Sequence, residues 1–350
     1  MSGGVDSSVA AMLLKEDGFE VIGATMKVWD PSSYSFAKET KYSSPDFVSD
    51  ARSVAEKLGI PHFVFDLTEE FDKIIISNFI NEYMEGRTPN PCVVCNKHIK
   101  WGTLLQKAGQ MDCQYVATGH YVKIRQENNR YIISKGKDQN KDQSYVLWGL
   151  SQENLSRTIF PLGDFSKTEI RKFAREFGIN HIADKRESYD VCFIPDNDYR
   201  NFLVNKVKNF TQKIVPGNFV SVEGKVLGKH KGYPFYTVGQ RKGLEIAVGH
   251  PLYVVEIIPE SNTVILGVKE DLSKDTIQVD MYNLIKYRTL PENIDVVTKV
   301  RYKDKGTKST ITITEGEIKV DFLESVSAIA PGQSAVFYEN DDVVGGGFIK

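Results

Sequence analysis

The first eighteen residues, MSGGVDSSVAAMLLKEDG (1–18), decide how the N-terminal half folds. Ser2-Gly3-Gly4-Val5-Asp6-Ser7-Ser8 stands directly before apolar residues at helical spacing, and Gly18 follows the last of them. Glycine just past a helical run is a common helix stop. Glycines let a backbone approach a phosphate closely. A helix N-terminus offers free N–H groups and a positive dipole end, and serines add hydroxyl donors. The stretch therefore reads as a phosphate cradle opening a helix. It is not the loop of kinases and GTPases, because no Gly-Lys-Ser/Thr closes it.

Working outward, EVIGATMKVW (20–29) and HFVFDL (62–67) read as strands, and PDFVSDARSVAEKLG (45–59) and EEFDKIIISNFINEYMEG (69–86) as helices. CQYVATGHYVKI (113–124) reads as a strand running into a loop, and SKTEIRKFAREFG (166–178) as a helix opened by a capping box of Ser166 with Glu169. Strand and helix in alternation predict an open parallel sheet with helices on both faces. From about residue 215 helical spacing gives way to short alternating stretches punctuated by glycine, which predict all-β structure. A second β-rich block runs from TIQVDMYNLI (276–285) to VVGGGFIK (343–350). A chain of 350 residues has room for two or three domains.

Charge is unevenly spread. Residues 1–199 carry 24 Lys/Arg against 28 Asp/Glu, and residues 244–350 carry 11 against 17. Residues 200–243 carry nine basic residues and one acid, a net charge of +8 inside a chain whose total is −2. Such a block is the footprint of a polyanion-binding surface, or of a merely solvated basic face. No run of eighteen apolar residues is present, so no transmembrane helix is expected, and the N-terminus has no secretory pattern. Four cysteines make no disulfide scaffold and point to a reducing, cytoplasmic setting.

The loop SGGVDSS resembles the pyrophosphate loop of ATP pyrophosphatases, which adenylate a substrate and release pyrophosphate. Seven further motifs occur in order: TPNPCVVCNKHIKW (88–101), ATGHY (117–121), KDQSYVL (141–147), YDVCFI (189–194), YTVGQRKGL (236–244), VRY (300–302) and APGQSAVFY (330–338). Together they resemble the bacterial tRNA-specific 2-thiouridylases, along the whole chain. The resemblance implies a Rossmann-like α/β pyrophosphate-loop domain over 1–200, a small β-rich tRNA-binding domain over 201–272 and a C-terminal β-barrel over 273–350. The activity it implies is ATP-dependent replacement of the C2 oxygen of the wobble uridine by sulfur.

By the same resemblance Ser2, Gly3, Gly4, Val5, Asp6, Ser7 and Ser8 hold the ATP phosphates, with Met26 and Gly119 near the nucleotide. Met26 also reads as plain core packing. Magnesium is expected with the leaving pyrophosphate, Asp6 being only a loose candidate ligand. Cys95, in the NPxxxCN motif, is the implied nucleophile, and Cys192, in DxCFI, the implied carrier of a persulfide. A persulfide's terminal sulfur is a good nucleophile, and a second thiol can resolve it as a Cys–Cys disulfide. Cys113 matches no functional position, heads a predicted strand and reads as core. Asn90, Pro91, Cys92, His120, Lys141, Asp142, Gln143, Arg301, Tyr302 and Gln333 are the implied tRNA contacts. A sulfur donor, such as a cysteine desulfurase or a sulfur-relay carrier, is the implied protein partner.

Two departures set further expectations. Relatives carry an apolar strand ahead of the phosphate loop, and here that first strand is expected to be missing, which would leave a ladder unpaired. Position 92 is Cys where many relatives have Asp. Cys92, Cys95 and Cys192 make three thiolates, enough for a 4Fe–4S cluster with one open iron, and Cys92 otherwise reads as a spare thiol beside a persulfide enzyme. Two other activities compete: a small-molecule amidating ligase with the same loop, and an inactive tRNA-binding protein.

Overall fold

The computed structural model describes residues 1–28, 47–185, 191–194 and 197–350. Trp29 of the first predicted strand, Pro45 and Asp46 of the second predicted helix, and Tyr189 and Asp190 of YDVCFI lie outside the described residues.

In chain order the elements begin with α1 (Val5–Glu16), β1 (Gly23–Lys27), α2 (Phe47–Leu58), β2 (His62–Asp66), α3 (Thr68–Phe71), α4 (Ser77–Met84), α5 (Pro91–Cys95) and α6 (Leu105–Gln110). Then come β3 (Val116–Ala117), β4 (Val122–Glu127), β5 (Arg130–Lys135), α7 (Gln152–Ser156), β6 (Thr158–Ile159), α8 (Lys167–Glu176), α9 (Asn180–Ala183), α10 (Tyr199–Lys206) and α11 (Phe210–Lys213). The remainder is β: β7 (Gly217–Ser221), β8 (Val226–His230), β9 (Tyr253–Ile258), β10 (Thr263–Gly267), β11 (Ser273–Leu284), β12 (Ile294–Lys299), β13 (Thr307–Thr314), β14 (Glu317–Ser327), β15 (Ser334–Glu339) and β16 (Asp342–Ile349).

Two helical runs widen into π-turns, Asp72–Ile76 between α3 and α4 and Asn96–Leu104 between α5 and α6. Hydrophobic spacing gives no warning of either.

The residues divide into two compact units. The first is Met1–Ile74, Cys92–Asn197 and Asp341–Val343; the second is Ile75–Pro91, Asp198–Asn340 and Val344–Lys350.

In the first unit β1 pairs with β2 and β3 with β6, both parallel. Met1 lies beside β1, its amino group donating to the Ala24 carbonyl and its carbonyl accepting from Thr25 Oγ1 at 2.7 Å. Helix α1 buries Val9 and Met12 with Val54 of α2 and Ile170 and Ala174 of α8. Each such side chain contributes roughly 1.5–3 kcal/mol when fully buried. The capping box at α8 forms as the sequence predicts: Ser166 Oγ accepts from Glu169 N, and Glu169 Oε2 accepts from Ser166 N at 2.6 Å. Cys113 is not at the head of a strand. Asp112, at φ +58°, turns the chain out of α6, leaving Cys113 half-buried three residues short of β3.

The second unit is all-β beyond α11 apart from short 3₁₀ turns, as its glycine punctuation predicts. Strands β8-β7-β10-β9 form one sheet, with β7 and β10 parallel. Strands β11-β14-β13-β12-β15-β16 follow one another, and β11 pairs again with β16, which closes a six-stranded barrel. The glycines of VVGGGFIK serve that seam: a Cβ on Gly345 would stand 2.4 Å from the Asn283 carbonyl of β11. Among the described residues no helix is long and apolar enough to cross a membrane.

Candidate active site

The phosphate loop is shaped by its own serines. Ser2 N donates to Ser7 Oγ at 3.0 Å, and Ser7 Oγ and Ser8 Oγ reach the Gly4 carbonyl at 3.2 and 2.9 Å. Gly3 sits at φ +66°, and a Cβ there would meet the Phe47 carbonyl at 2.5 Å, so no other residue fits without moving α2. Gly4 is the N-cap of α1 and has no side chain to cap it, which leaves the first-turn N–H groups free for an anion.

Asp6, in that first turn, is gripped from two sides. Lys167 Nζ lies 2.7 Å from both of its carboxylate oxygens, and Tyr121 Oη donates to Oδ1 at 2.5 Å. Lys167 is a buried lysine at the start of α8, placed by the Ser166 cap, with its own N–H bonded to Asp138 Oδ2 at 3.0 Å. Gly119 presses on the loop: a Cβ there would stand 2.8 Å from the Asp6 carbonyl carbon and 2.9 Å from Ser7 N. Met26, on β1, is half-buried beside Phe65 and is not part of the core formed by α1 and α8.

The candidate cysteines Cys92, Cys95 and Cys192 lie in the same unit as the loop. Pro91 opens α5, where its missing N–H costs nothing. Cys92 and Cys95 share that helix, and the π-turn following it is pinned by Asn96 Nδ2 donating to the Val146 carbonyl at 2.9 Å. Cys192 is fixed by its neighbours Phe193 and Ile194, both buried. Phe193 packs edge-on against Phe71 with ring centroids 5.7 Å apart.

All four cysteines are free thiols. Burial raises the pKa of Cys92 and of Cys95, and pushes Cys192 up to about 12, with Cys95 and Cys92 adding to its rise. Cys92 and Cys192 nevertheless expose surface to water. Protein atoms crowd the wider shell that would solvate the anion, so burial still governs both thiols. Lys100 opposes the rise at all three. It stands five residues after Cys95, and the i→i+5 register of a π-turn places such residues on one face.

ATGHY touches both the loop and Lys100. Between Gly119 and Tyr121, both against Asp6, His120 is buried with Nδ1 2.7 Å from Thr118 Oγ1 and Nε2 3.5 Å from Lys100 Nζ. Burial first, and Lys100 second, hold its pKa well below the ordinary histidine value, so the ring is neutral.

The remaining motif residues are more committed than their sequence positions announce. Asp142 is buried, accepting from Gly136 N, Ser144 N and Ser144 Oγ at 3.2, 3.2 and 2.8 Å. Gln143 Oε1 accepts from Tyr121 N at 3.1 Å, and Lys141, half-buried, ends the turn from Asp138. In the second unit Arg301 donates to the Ser327 and Ala328 carbonyls, Tyr302 is exposed, and Gln333 and Asn90 bond within the unit.

Among the described residues no three His, Cys, Asp or Glu side chains form a metal-holding group. Cys92, Cys95 and Cys192 are not drawn together as such a group among those residues. Lys167, Tyr121 and Lys100 escaped sequence reasoning. Lys100 lies within TPNPCVVCNKHIKW and Tyr121 within ATGHY, so both stood inside motifs that carry the resemblance; Lys167 gave no such signal.

The chain matches three family models in succession: the tRNA methyl transferase HUP domain over residues 1–196, the tRNA methyl transferase PRC-barrel domain over 202–268 and the aminomethyltransferase β-barrel domain over 274–349. The architecture is thus that of a HUP-type nucleotide-binding α/β domain followed by two β domains. The chain is 55% identical to the tRNA-specific 2-thiouridylase MnmA of Amoebophilus asiaticus, covering 100% of this chain and 94% of the relative. It is 54% identical to that of Cytophaga hutchinsonii and 51% to that of Salinibacter ruber, over 100% of this chain and 96% and 92% of theirs. It belongs to the tRNA-specific 2-thiouridylase family.

Proposed function

We propose that this chain is a tRNA-uridine 2-sulfurtransferase that adenylates the C2 oxygen of the wobble uridine and replaces it with sulfur. The observation that carries the reading is the ATGHY turn, in which Gly119 and Tyr121 hold the phosphate loop while His120 faces the lysine of the thiol cluster. This contact pattern supports a reading in which activation and sulfur transfer are linked through one short segment.

The chemistry follows from the leaving group. A C2 oxygen leaves poorly, and an AMP ester leaves well. Uridine O2 attacks the α-phosphorus of ATP, an O–P bond forms and pyrophosphate departs. The free N–H groups at the start of α1, with Ser2, Gly3, Gly4, Val5, Ser7 and Ser8, hold the phosphates. Magnesium, when bound, would supply charge compensation for the departing pyrophosphate. Asp6 is already paired with Lys167, so no residue is assigned to the ion.

Sulfur then arrives as the terminal atom of a persulfide on Cys192. A C2–S bond forms and AMP leaves. Cys95, as thiolate, attacks the Cys192 sulfur, the S–S bond breaks toward the nucleoside, and a Cys95–Cys192 disulfide remains. Lys100 favours the thiolate needed for that attack. A cellular thiol reduces the disulfide, and a donor such as a cysteine desulfurase or a relay carrier recharges Cys192.

The tRNA is held by Asn90, Pro91, Cys92 and His120 at the target base, by the Lys141–Gln143 turn, and by Arg301, Tyr302 and Gln333 of the barrel. Exposed Lys208, Lys225, Lys229, Lys231, Arg241 and Lys242 add phosphate contacts. We divide the chain at 200 and 272 into three domains and place it in the cytoplasm.

The test is direct. Unmodified tRNA, ATP and an enzymatic persulfide donor should yield wobble 2-thiouridine with AMP and pyrophosphate in equal amounts. AMP formed without tRNA would mean a small-molecule ligase instead, and tRNA binding without AMP an inactive binder.

A further inference from the structure

The segment Thr88-Pro89-Asn90-Pro91, leading into α5, is unusually stiff. Pro89 and Pro91 have φ locked near −65°. Thr88 and Asn90 each precede a proline and are pushed toward extended conformations. Two of the four residues have no N–H to donate. A segment of this kind transmits a displacement at one end to the other, because little torsional freedom absorbs it.

One turn of the barrel grips this strut. Thr88 N donates to the Pro331 carbonyl at 2.7 Å. Gln333 Nε2 donates to the Pro89 carbonyl at 2.8 Å and to the Thr88 carbonyl at 3.2 Å. Asn90 Nδ2 donates to the buried Ser334 Oγ at 3.2 Å. Gly332 sits at φ +85°, and a Cβ there would lie 2.8 Å from the Thr88 carbonyl, so the two backbones are in close contact. The turn itself is tied to β16 by Gly332 N to the Ile349 carbonyl and Ile349 N to the Gln333 carbonyl, both at 2.8 Å. On the other flank Arg87 makes a bidentate pair with Glu82, with both N···O distances 2.8 Å.

We propose that the Pro331–Ser334 turn is a positioning clasp for the catalytic helix, and that Gln333 is its positioning residue: by holding the Thr88 and Pro89 carbonyls it sets where α5 begins and so where Cys92 and Cys95 stand. This role is separate from any contact of Gln333 with RNA, and its bearing on sulfur transfer rests on the function proposed above. The Gln333 amide suits the task, since its one NH₂ group reaches two adjacent carbonyls of the strut.

The experiment uses the full chain and two substitutions. Gln333→Ala removes the donor. Gln333→Glu places a carboxylate against two carbonyls at neutral pH, but its protonated form can donate again. The first readout needs no tRNA: the rates at which Cys92, Cys95 and Cys113 are alkylated, followed by mass spectrometry. The clasp predicts that Gln333→Ala raises the Cys92 and Cys95 rates several-fold and leaves Cys113 unchanged. Unchanged Cys92 and Cys95 rates, or one common rise at all three, would overturn it. The second readout is thiolation under saturating tRNA. Gln333→Glu should lower the rate at saturating tRNA at least tenfold, over and above any change in tRNA affinity, and the ratio to wild type should recover as pH falls toward 5. A weakened tRNA affinity with an intact saturated rate would show that Gln333 acts only by touching RNA, and would also overturn the clasp. If the wild-type chain thiolates nothing, the function reading fails and the alkylation rates still decide the clasp.

Discussion

Lys167 Nζ and the Asp6 carboxylate meet at 2.7 Å across 161 residues of chain, at the mouth of the phosphate loop. In the function proposed here the lysine offsets a carboxylate beside the phosphates of ATP. Lys167→Met should weaken ATP binding about ten- to a hundredfold, since a charge-assisted contact is worth ~1.5–3 kcal/mol. Adding Asp6→Asn to that variant should recover part of the loss, because the uncompensated charge is then gone. Titration calorimetry with ATP reads both. Equal affinity in Lys167→Met and wild type would remove the lysine from the site.

Cys95→Ser and Cys192→Ser should each abolish 2-thiouridine formation while tRNA binding stays within twofold. Thiolated tRNA is retarded on mercury-containing gels, and binding is read separately by filter retention. Wild-type sulfur incorporation in either variant would refute the assigned roles.

Burial raises the Cys192 thiol to about 12, so at neutral pH the group is protonated in the free protein. Only the thiolate is alkylated. The rate of Cys192 alkylation should therefore climb about tenfold per pH unit from 7 to 9.5 without levelling. A plateau near pH 8 would mean that the thiol ionises like an ordinary cysteine. Lys100→Met should slow alkylation at all three site cysteines, because its charge works against their rise.

The basic block supplies phosphate contacts in this account. Lys208, Lys225, Lys229 and Lys231 are exposed, Lys231 within 3.1 Å of an equally exposed Glu245. Replacing the four by alanine should weaken tRNA binding for every sequence and flatten its salt dependence, by up to about one unit of log–log slope per lost duplex contact. An unchanged slope would move the binding surface elsewhere.

What could be read from the sequence was local. Gly18 and Gly59 do end α1 and α2 at φ +87° and +61°, and the Ser166–Glu169 box forms. The helix that SGGVDSS is expected to open does begin at Val5. What could not be read was tertiary. The partner of Asp6 lies 161 residues away, and no local pattern distinguishes Lys167 from other helix-start lysines. Lys100 faces Cys95 only because the helix widens into a π-turn, and Asp142 and Gln143 turn inward because Ser144 and Tyr121 offer partners. The three-thiolate expectation finds no support, since among the described residues no three ligating side chains form a metal-holding group, and a count of cysteines says nothing of how they meet.

The central claim is that sulfur passes from Cys192 to an adenylated uridine with Cys95 closing the cycle. Charge the protein with a ³⁵S-persulfide, remove the donor, add tRNA and ATP for a single turnover, and digest for mass spectrometry. The account predicts that label reaches the wobble uridine only with ATP, with one AMP and one Cys95–Cys192 disulfide for each 2-thiouridine formed. Labelled tRNA alongside fully reduced Cys95 and Cys192, or transfer without ATP, would contradict it.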